Sequence, residues 1–270
     1  MSIAGGLDHV GVATADLDAA AAEWERLGFA LTPLARHAPP AGTANRCAML
    51  RQGYVELIAV VDPARPSQTL QRFLARYAGI HILSFATSDE QAALARLRRA
   101  GFTTDIAASA RPADPEDPAG PQARFARLPL AEAEPRLQLL KHLTPELVWQ
   151  ERFLAHPNHA VSLDAVVLVG DSPAELAARL SRAAGLPVLP DPLGGYALRL
   201  AHGEVRVLPP AALDGVFPGV EIPSLPFVAG IVVGTGDGNR SVARLLENIG
   251  TRVGENWLAK AAGVAVLFRG

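Results

Sequence analysis

Residues 13–29, ATADLDAAAAEWERLGF, and residues 86–102, ATSDEQAALARLRRAGF, align without a gap. Both stretches begin with Ala-Thr, share an aspartate at the same place and finish on Gly-Phe. A third copy runs from Val167 to Leu186, and a fourth runs from Ile231 to Gly250. Because internal self-similarity marks a repeated structural unit, the sequence predicts four copies of one module.

Each copy has the pattern of a strand followed by a capped helix. A short apolar run precedes an aspartate that can accept hydrogen bonds from the first amides of a helix: Asp16, Asp89, Asp171 and Asp237. Apolar residues then recur at spacings of three and four, and each helix stops at a glycine suited to left-handed backbone. About three further strand-like runs follow each helix, so the predicted unit is βαβββ.

The spacing of the copies indicates how the modules are grouped. It is too long for a solenoid of short repeats and favours pairs of α+β modules. Pro145 to His159 has the character of a connector, with a helical segment and a turn. We therefore expect two domains, residues 1–155 and residues 156–270.

Composition excludes several classes of protein. The 270 residues are 49% hydrophobic and 19% charged, which argues against disorder and fibrous repeats. With 25 Lys and Arg against 27 Asp and Glu, no overall cationic field would attract nucleic acid. Cys47 is the one cysteine, so neither an internal disulfide nor a thiolate zinc cluster is expected. Met1 to Gly6 does not resemble a signal peptide and no apolar run would span a bilayer, so we expect a cytoplasmic protein without a membrane partner.

Several motifs together resemble the vicinal oxygen chelate superfamily. The chain opens with LDHVGV at residues 7–12, and YVELI follows at residues 54–58. Arg36-His37, GTAN at residues 42–45 and HPN at residues 156–158 are similar to the group called glyoxalase-like domain proteins. The resemblance implies an α+β fold in which four βαβββ modules pair into two cups, of the glyoxalase and bleomycin-resistance type.

The resemblance also implies a divalent metal held by side chains from the first and last strands of the modules. Known members include glyoxalase I, extradiol dioxygenases, a coenzyme A thioester epimerase and antibiotic-resistance proteins, some of which bind ligands without metal. His9, Glu56 and His81 are the metal ligands that this pattern suggests, and Fe, Mn, Ni, Co and Zn all suit an imidazole at His9. A homodimer is left open.

His9 and Glu56 also have a purely structural interpretation. The histidine could be satisfied by a backbone carbonyl at a strand start, and the carboxylate could face solvent on an edge strand. However, Glu56 lies in the otherwise apolar run from Tyr54 to Val60, where burying a carboxylate costs several kcal/mol unless a metal or cation compensates. Tyr54 shares a strand face with Glu56 and is expected to contact substrate.

The second module departs from the clean pattern. The ungapped alignment places Ile82, not His81, at the position of His9, so His81 would reach the cup only through a β-bulge or a shifted strand start. Gln138 falls at the position of Glu56, where its neutral amide would be a weak ligand or a contact to substrate. In the second half Arg206 takes the place of Glu56. The second half is therefore expected either to support the first cup or to recognise an anion through Arg206 or Arg199.

His37 and Asn45 lie in the loop region after the first helix. His37, with Glu56, could transfer a proton during catalysis, and Asn45 could orient a substrate carbonyl. The alternative for both is local turn chemistry, in which Asn and Thr hydrogen-bond nearby backbone.

Two functions are consistent with these residues. The first is a metal-dependent lyase, isomerase or dioxygenase that acts on a small molecule chelated through vicinal oxygens. The second is a metal-free protein that binds and sequesters a small ligand. His9 with Glu56 favours the first, whereas the missing ligands in the other modules favour the second.

Overall fold

The computed structural model describes residues 5–270, so residues 1–4 of the N-terminal stretch lie outside it. The first module comprises one helix and four strands: β1 (Leu7–Ala13), α1 (Leu17–Arg26), β2 (Ala35–Arg36), β3 (Thr43–Met49) and β4 (Tyr54–Val60). Strand β1 runs parallel to β4, and β4, β3 and β2 then pair antiparallel in that order. The first and last strands of the module are therefore neighbours.

The second module repeats this arrangement after the short helix α2 (Gln68–Leu74). It comprises β5 (Gly79–Ala86), α3 (Glu90–Arg99), β6 (Ala107–Pro112), β7 (Gln122–Leu130) and β8 (Arg136–His142). Strand β5 is parallel to β8, and β8, β7 and β6 are antiparallel. Strands β1 and β5 pair antiparallel and join the two modules.

The third and fourth modules follow two 3₁₀ turns at Pro145–Leu147 and Glu151–Phe153. The third comprises β9 (Ala160–Val169), α4 (Pro173–Ala184), β10 (Leu189–Pro190), β11 (Tyr196–Arg199) and β12 (Glu204–Leu208). The fourth comprises β13 (Phe227–Thr235), α5 (Arg240–Leu246), β14 (Thr251–Val253), β15 (Asn256–Ala261) and β16 (Val264–Arg269). Both have the strand order of the first module, and β9 pairs antiparallel with β13. The predicted α+β class is confirmed.

The helix starts show which of the predicted caps form. The Asp16 carboxylate accepts from the amides of Asp18 and Ala19, and Asp89 accepts from Ala92 in the same way. In the fourth module Asp237 accepts from the amide of Ser241 at 2.9 Å. The prediction for the third module is wrong, because α4 begins after Ser172 with a proline in its first turn and no side chain caps it.

One continuous core connects all four modules. It includes a buried residue from each module helix: Trp24, Leu97, Leu180 and Leu246. The strand pairs within the first two modules lie before residue 143 and those within the last two lie after residue 159. The domain boundary near residue 155 stays a prediction. Within the described part of the chain no helix is both long and apolar enough to cross a membrane.

The residues around the predicted boundary fasten the chain to the first module. His156 Nδ1 accepts from the Ala30 amide at 3.0 Å, and its Nε2 donates to the Met49 carbonyl at 2.6 Å. Asn158 donates to the Leu27 carbonyl at 2.9 Å. His156 and Asn158 are buried, so this turn has a structural role.

Candidate active site

A cavity of about 500 Å³, called the site cavity below, is lined by strands of the first two modules and by helix α2. All but one of the predicted site residues line it: His9, His37, Asn45, Tyr54, Glu56 and Gln138. The exception is His81. The first two modules therefore form the candidate site.

Strand register explains why His9 and Glu56 face the same space. Strand β1 pairs with β4 so that His9 lies opposite Tyr54 and Gly11 lies opposite Glu56. Since alternate residues of a strand share a face, these positions point to one side of the sheet. A Cβ atom on Gly11 would lie 2.9 Å from the Cβ of Ile82, so a glycine is needed where β1 and β5 approach.

Asp8 fixes the orientation of the His9 ring. The register between β1 and β5 shifts between Leu7 and His9, and such an irregularity re-aims side chains. The Asp8 Oδ1 atom lies 2.6 Å from His9 Nδ1, and Oδ2 lies 2.8 Å from His142 Nε2. The His9 ring also stacks on Tyr54 with 4.5 Å between centroids.

The charge on Asp8 determines where the protons of both rings lie. Burial alone would raise its pKa, but the hydrogen bonds and charges of His142 and His9 outweigh burial and lower the pKa to about 2. An ionised carboxylate only accepts hydrogen bonds, so His9 donates through Nδ1. In the neutral ring the lone pair is then on Nε2, the nitrogen toward the site cavity.

Glu56 lies between two imidazoles. Its Oε2 is 3.8 Å from His9 Nε2, and its Oε1 is 3.7 Å from His37 Nε2. Asn45 donates to Oε1 at 2.6 Å. Burial would raise the Glu56 pKa, but His37, His9 and Asn45 together lower it to about 2. The carboxylate is therefore ionised at neutral pH.

His37 is held by the strand that follows it. Its Nδ1 lies 2.7 Å from Thr43 Oγ1, and its backbone amide donates to the Thr43 carbonyl at 3.0 Å. Its Nε2 is 3.3 Å from the Asn45 amide nitrogen. The His37 side chain is 27% exposed, so solvent reaches the ring. His37 and Asn45 thus take part in the site in addition to local turn contacts.

The expectation that His81 is a metal ligand needs correction. A register shift does occur between β1 and β5 at this point, since Gly11 pairs with Ile82 and Val12 pairs with Ile80. Yet Ile82 keeps the position facing the site cavity, and His81 is fully buried elsewhere. Its ring stacks between Phe73 and Tyr77, at 4.6 and 4.0 Å between centroids, and its Nε2 donates to the Tyr77 carbonyl at 2.9 Å.

Gln138 has the place that the alignment predicts. Strands β5 and β8 pair Ser84 with Gln138, as β1 and β4 pair Gly11 with Glu56. The Gln138 amide nitrogen lies 3.3 Å from His9 Nε2. The first and last strands of both modules therefore each place a side chain in the site cavity. Of these four positions, Ile82 is the one without an atom that can bind a metal.

The side chains of His9 and Glu56 present atoms of the types that bind divalent metal ions. His9 offers an imidazole nitrogen turned by a carboxylate, which is the usual support of a metal-binding histidine, and Glu56 offers an ionised carboxylate. Among residues 5–270, no three His, Cys, Asp or Glu side chains are arranged as a metal site. A metal here would rely on His9, Glu56 and the amide oxygen of Gln138, with water or substrate completing its shell.

Several residues in or behind the site cavity were not predicted from the sequence. They are Asp8 and His142 behind His9, Thr43 beside His37, and three arginines, Arg111, Arg127 and Arg136. A signal for Asp8 did exist, because a carboxylate next to His9 in an apolar strand requires a buried partner. No signal pairs Asp8 with His142, which is 134 positions away.

The second half does not provide the anion site that Arg206 suggested. The Arg206 guanidinium forms two hydrogen bonds to Asp191, at 2.7 and 2.9 Å, and its charge is therefore satisfied. Burial raises the Asp191 pKa, but Arg206 and the Leu193 amide outweigh it and lower the pKa. Arg199 is 76% exposed.

The strand order and the converging His9 and Glu56 define a protein with the vicinal oxygen chelate fold. The family model for the glyoxalase-like domain matches residues 7–184, more than half of the chain. The chain therefore belongs to the glyoxalase-like domain family. A comparison with curated proteins finds no match.

Solved structures of similar fold cover nearly the whole chain. A hypothetical protein from Staphylococcus aureus has a TM-score of 0.72 at 10% identity and covers 98% of both chains. The Mn(II)-bound glyoxalase from Novosphingobium aromaticivorans has a TM-score of 0.58 at 15% identity, over 99% of this chain and 82% of that one. A variant of 4-hydroxymandelate synthase from Streptomyces coelicolor has a TM-score of 0.59 at 15% identity, over 99% and 92%. At these identities the likeness concerns the fold.

Proposed function

We propose that the protein is a metal-dependent enzyme, a lyase, isomerase or dioxygenase, that acts on a small oxygenated molecule. The observation that carries this proposal is the approach of His9 Nε2 to the ionised Glu56 carboxylate, 3.8 Å apart in the site cavity. The neighbour whose structure holds Mn(II) supports a divalent ion of the kind that imidazole and carboxylate bind.

His9, Glu56 and Gln138 would hold the ion. When bound, a divalent ion would polarise two vicinal oxygens of the substrate and stabilise the negative charge that develops on them. Asp8 maintains the His9 tautomer in which Nε2 has its lone pair toward the site cavity. Tyr54 keeps the ring in place by stacking.

We assign proton transfer to His37 rather than to Glu56. A general base works best when its pKa lies near the working pH, and the Glu56 pKa of about 2 makes it a weak proton acceptor. His37 Nε2 faces the same space, 3.7 Å from Glu56 Oε1. Thr43 holds the opposite ring nitrogen, so His37 can take a proton from substrate while Asn45 orients a substrate oxygen.

The alternative of a metal-free binding protein explains the site less well. A protein that only sequesters a ligand does not need an ionised carboxylate between two imidazoles, since burying that charge costs free energy. The site cavity is also lined by charged and polar residues, including His9, His37 and Glu56.

Element analysis of protein purified without chelator tests the proposal. We expect a divalent ion in stoichiometric amount in the wild type and its loss in His9→Ala. The matched control is His81→Phe, which changes a buried histidine outside the site cavity and should retain the ion. A wild type without any divalent metal after reconstitution with Mn, Fe, Co, Ni and Zn would contradict the proposal.

A further inference from the structure

Three arginines form one side of the site cavity. Arg111 lies on β6, Arg127 on β7 and Arg136 on β8, and all three line the site cavity. We call these three residues the arginine wall. Gln138 lies two positions after Arg136 on β8, so the arginine wall and the His9 and Glu56 site share one enclosure.

In the described part of the chain, no carboxylate is paired directly with the arginine wall. Within residues 5–270, none of the three guanidinium groups forms a salt bridge, whereas the partly buried Arg206 and Arg76 are paired with Asp191 and Glu134. Arg127 Nε donates to Ser109 Oγ, at 3.1 Å. Arg136 Nε is buried and has no hydrogen-bond partner in the described residues.

Glu56 offsets only part of the charge of the arginine wall. In the described part of the chain, Glu56 is the one carboxylate that lines the site cavity. Its Oε1 accepts a hydrogen bond from Asn45, and the rings of His9 and His37 lie on either side of the carboxylate. Three guanidinium charges therefore face a cavity with a single carboxylate.

An anionic ligand would remove this imbalance. Unpaired charges in a partly buried cleft are costly, and a guanidinium is suited to paired hydrogen bonds with the oxygens of a carboxylate or phosphate. The chain as a whole has a net charge of −2, so the positive charge is local to this cavity. A cavity of about 500 Å³ has the size of a small-molecule site.

We propose that the arginine wall is an oxyanion subsite that binds a carboxylate or phosphate group of the substrate. This inference rests on the proposed function of the same cavity. It narrows the substrate class to small organic anions, whose charged group lies against Arg111, Arg127 and Arg136 while the reacting oxygens lie near His9 and Glu56. The arginines act in binding and not in proton transfer.

Calorimetric titration of chelator-treated protein with inorganic phosphate and with malonate, at constant ionic strength, tests the subsite. We expect saturable binding of at least one of the two anions to the wild type, and the tighter of them identifies the group. Arg127→Met and Arg136→Met should each weaken binding about tenfold or more. Arg124→Met is the matched control, because Arg124 lies on the same strand β7 but is exposed and outside the site cavity.

Thermal unfolding without anion distinguishes a subsite from a structural role. Removal of an unpaired charge should leave Arg136→Met as stable as the wild type or more stable, and Arg127→Lys should fold while binding anions more weakly. Anion binding that is absent from the wild type, or equal in Arg127→Met and Arg124→Met, would overturn the inference.

Failure of the anion subsite can be distinguished from failure of the proposed metal site. Titration of Arg127→Met with Mn²⁺ should give the wild-type affinity, and His9→Ala should still bind the anion. Anion binding without metal binding would thus disprove the proposed function and leave the subsite in place. Metal binding without anion binding would disprove the subsite and leave the proposed function in place.

Discussion

His9 and Asp8 are adjacent in the chain and are joined by a hydrogen bond of 2.6 Å between Nδ1 and Oδ1. Neighbours on a regular strand point to opposite faces, but the register shift at Asp8 lets the two side chains meet. The other carboxylate oxygen accepts from His142 at 2.8 Å. One buried carboxylate therefore orients two imidazoles, of which only His9 lines the site cavity.

Asp8→Asn should reduce divalent metal affinity about 10- to 100-fold, because the amide cannot accept hydrogen bonds from both rings and the His9 tautomer is no longer fixed. Calorimetric titration with Mn²⁺ measures the change. Asp18→Asn is the control, since the Asp18 carboxylate is exposed and remote from the site cavity. An Asp8→Asn protein with native circular dichroism and wild-type affinity would show that this hydrogen bond does not support the metal.

His81→Phe should leave metal affinity unchanged. The aromatic ring can keep its stacking on Phe73 and Tyr77, while the Tyr77 carbonyl loses its donor. We expect a loss of about 1–3 kcal/mol in the free energy of unfolding, the usual result of leaving a buried acceptor unsatisfied. Urea unfolding and Mn²⁺ titration of the same sample measure both quantities. Loss of metal binding in a folded His81→Phe protein would restore His81 as a ligand.

Arg206→Ala should destabilise the protein by about 3 kcal/mol at neutral pH, because it leaves the buried Asp191 carboxylate without its partner. The Asp191 pKa is lowered in the folded state, so the ion pair stabilises the wild type above the ordinary aspartate pKa of about 4. That stability is lost as the pH falls further. The difference between wild type and Arg206→Ala in urea unfolding should shrink as the pH is lowered from about 6 to 3. A difference that stays constant over this range would rule out the ion pair as its cause.

The repeated modules were predictable from the sequence because each is a local pattern. One segment contains the cap at Asp16, the apolar spacing around Trp24 and the stop at Gly28. The structure has a helix in that segment. The cap predicted at Asp171 failed for an equally local reason, because Ser172 and Pro173 start that helix one residue later. The expected pairing of modules was based on the spacing of the copies and on the connector from Pro145 to His159.

Part of the site was predictable because a polar residue conflicts with its apolar strand, and Gln138 was predictable from the repeat alignment. Glu56 in an apolar strand and His9 at the matching place in β1 are such conflicts, and both line the site cavity. Whether the His81 side chain faces the site cavity depends on the strand register to within one residue, and sequence periodicity cannot resolve such a difference. Contacts between distant segments, such as His142 with Asp8, depend on tertiary packing and were not predictable.

The proposed metal site is tested most directly by calorimetric titration of chelator-treated protein with Mn²⁺ at neutral pH, for the wild type, His9→Ala and Glu56→Gln. We expect one saturable site in the wild type and its loss in both variants, while circular dichroism shows that both remain folded. A folded wild type that binds neither Mn²⁺ nor Fe²⁺, Co²⁺, Ni²⁺ or Zn²⁺ under these conditions would contradict the central claim, as would variants that bind as tightly as the wild type.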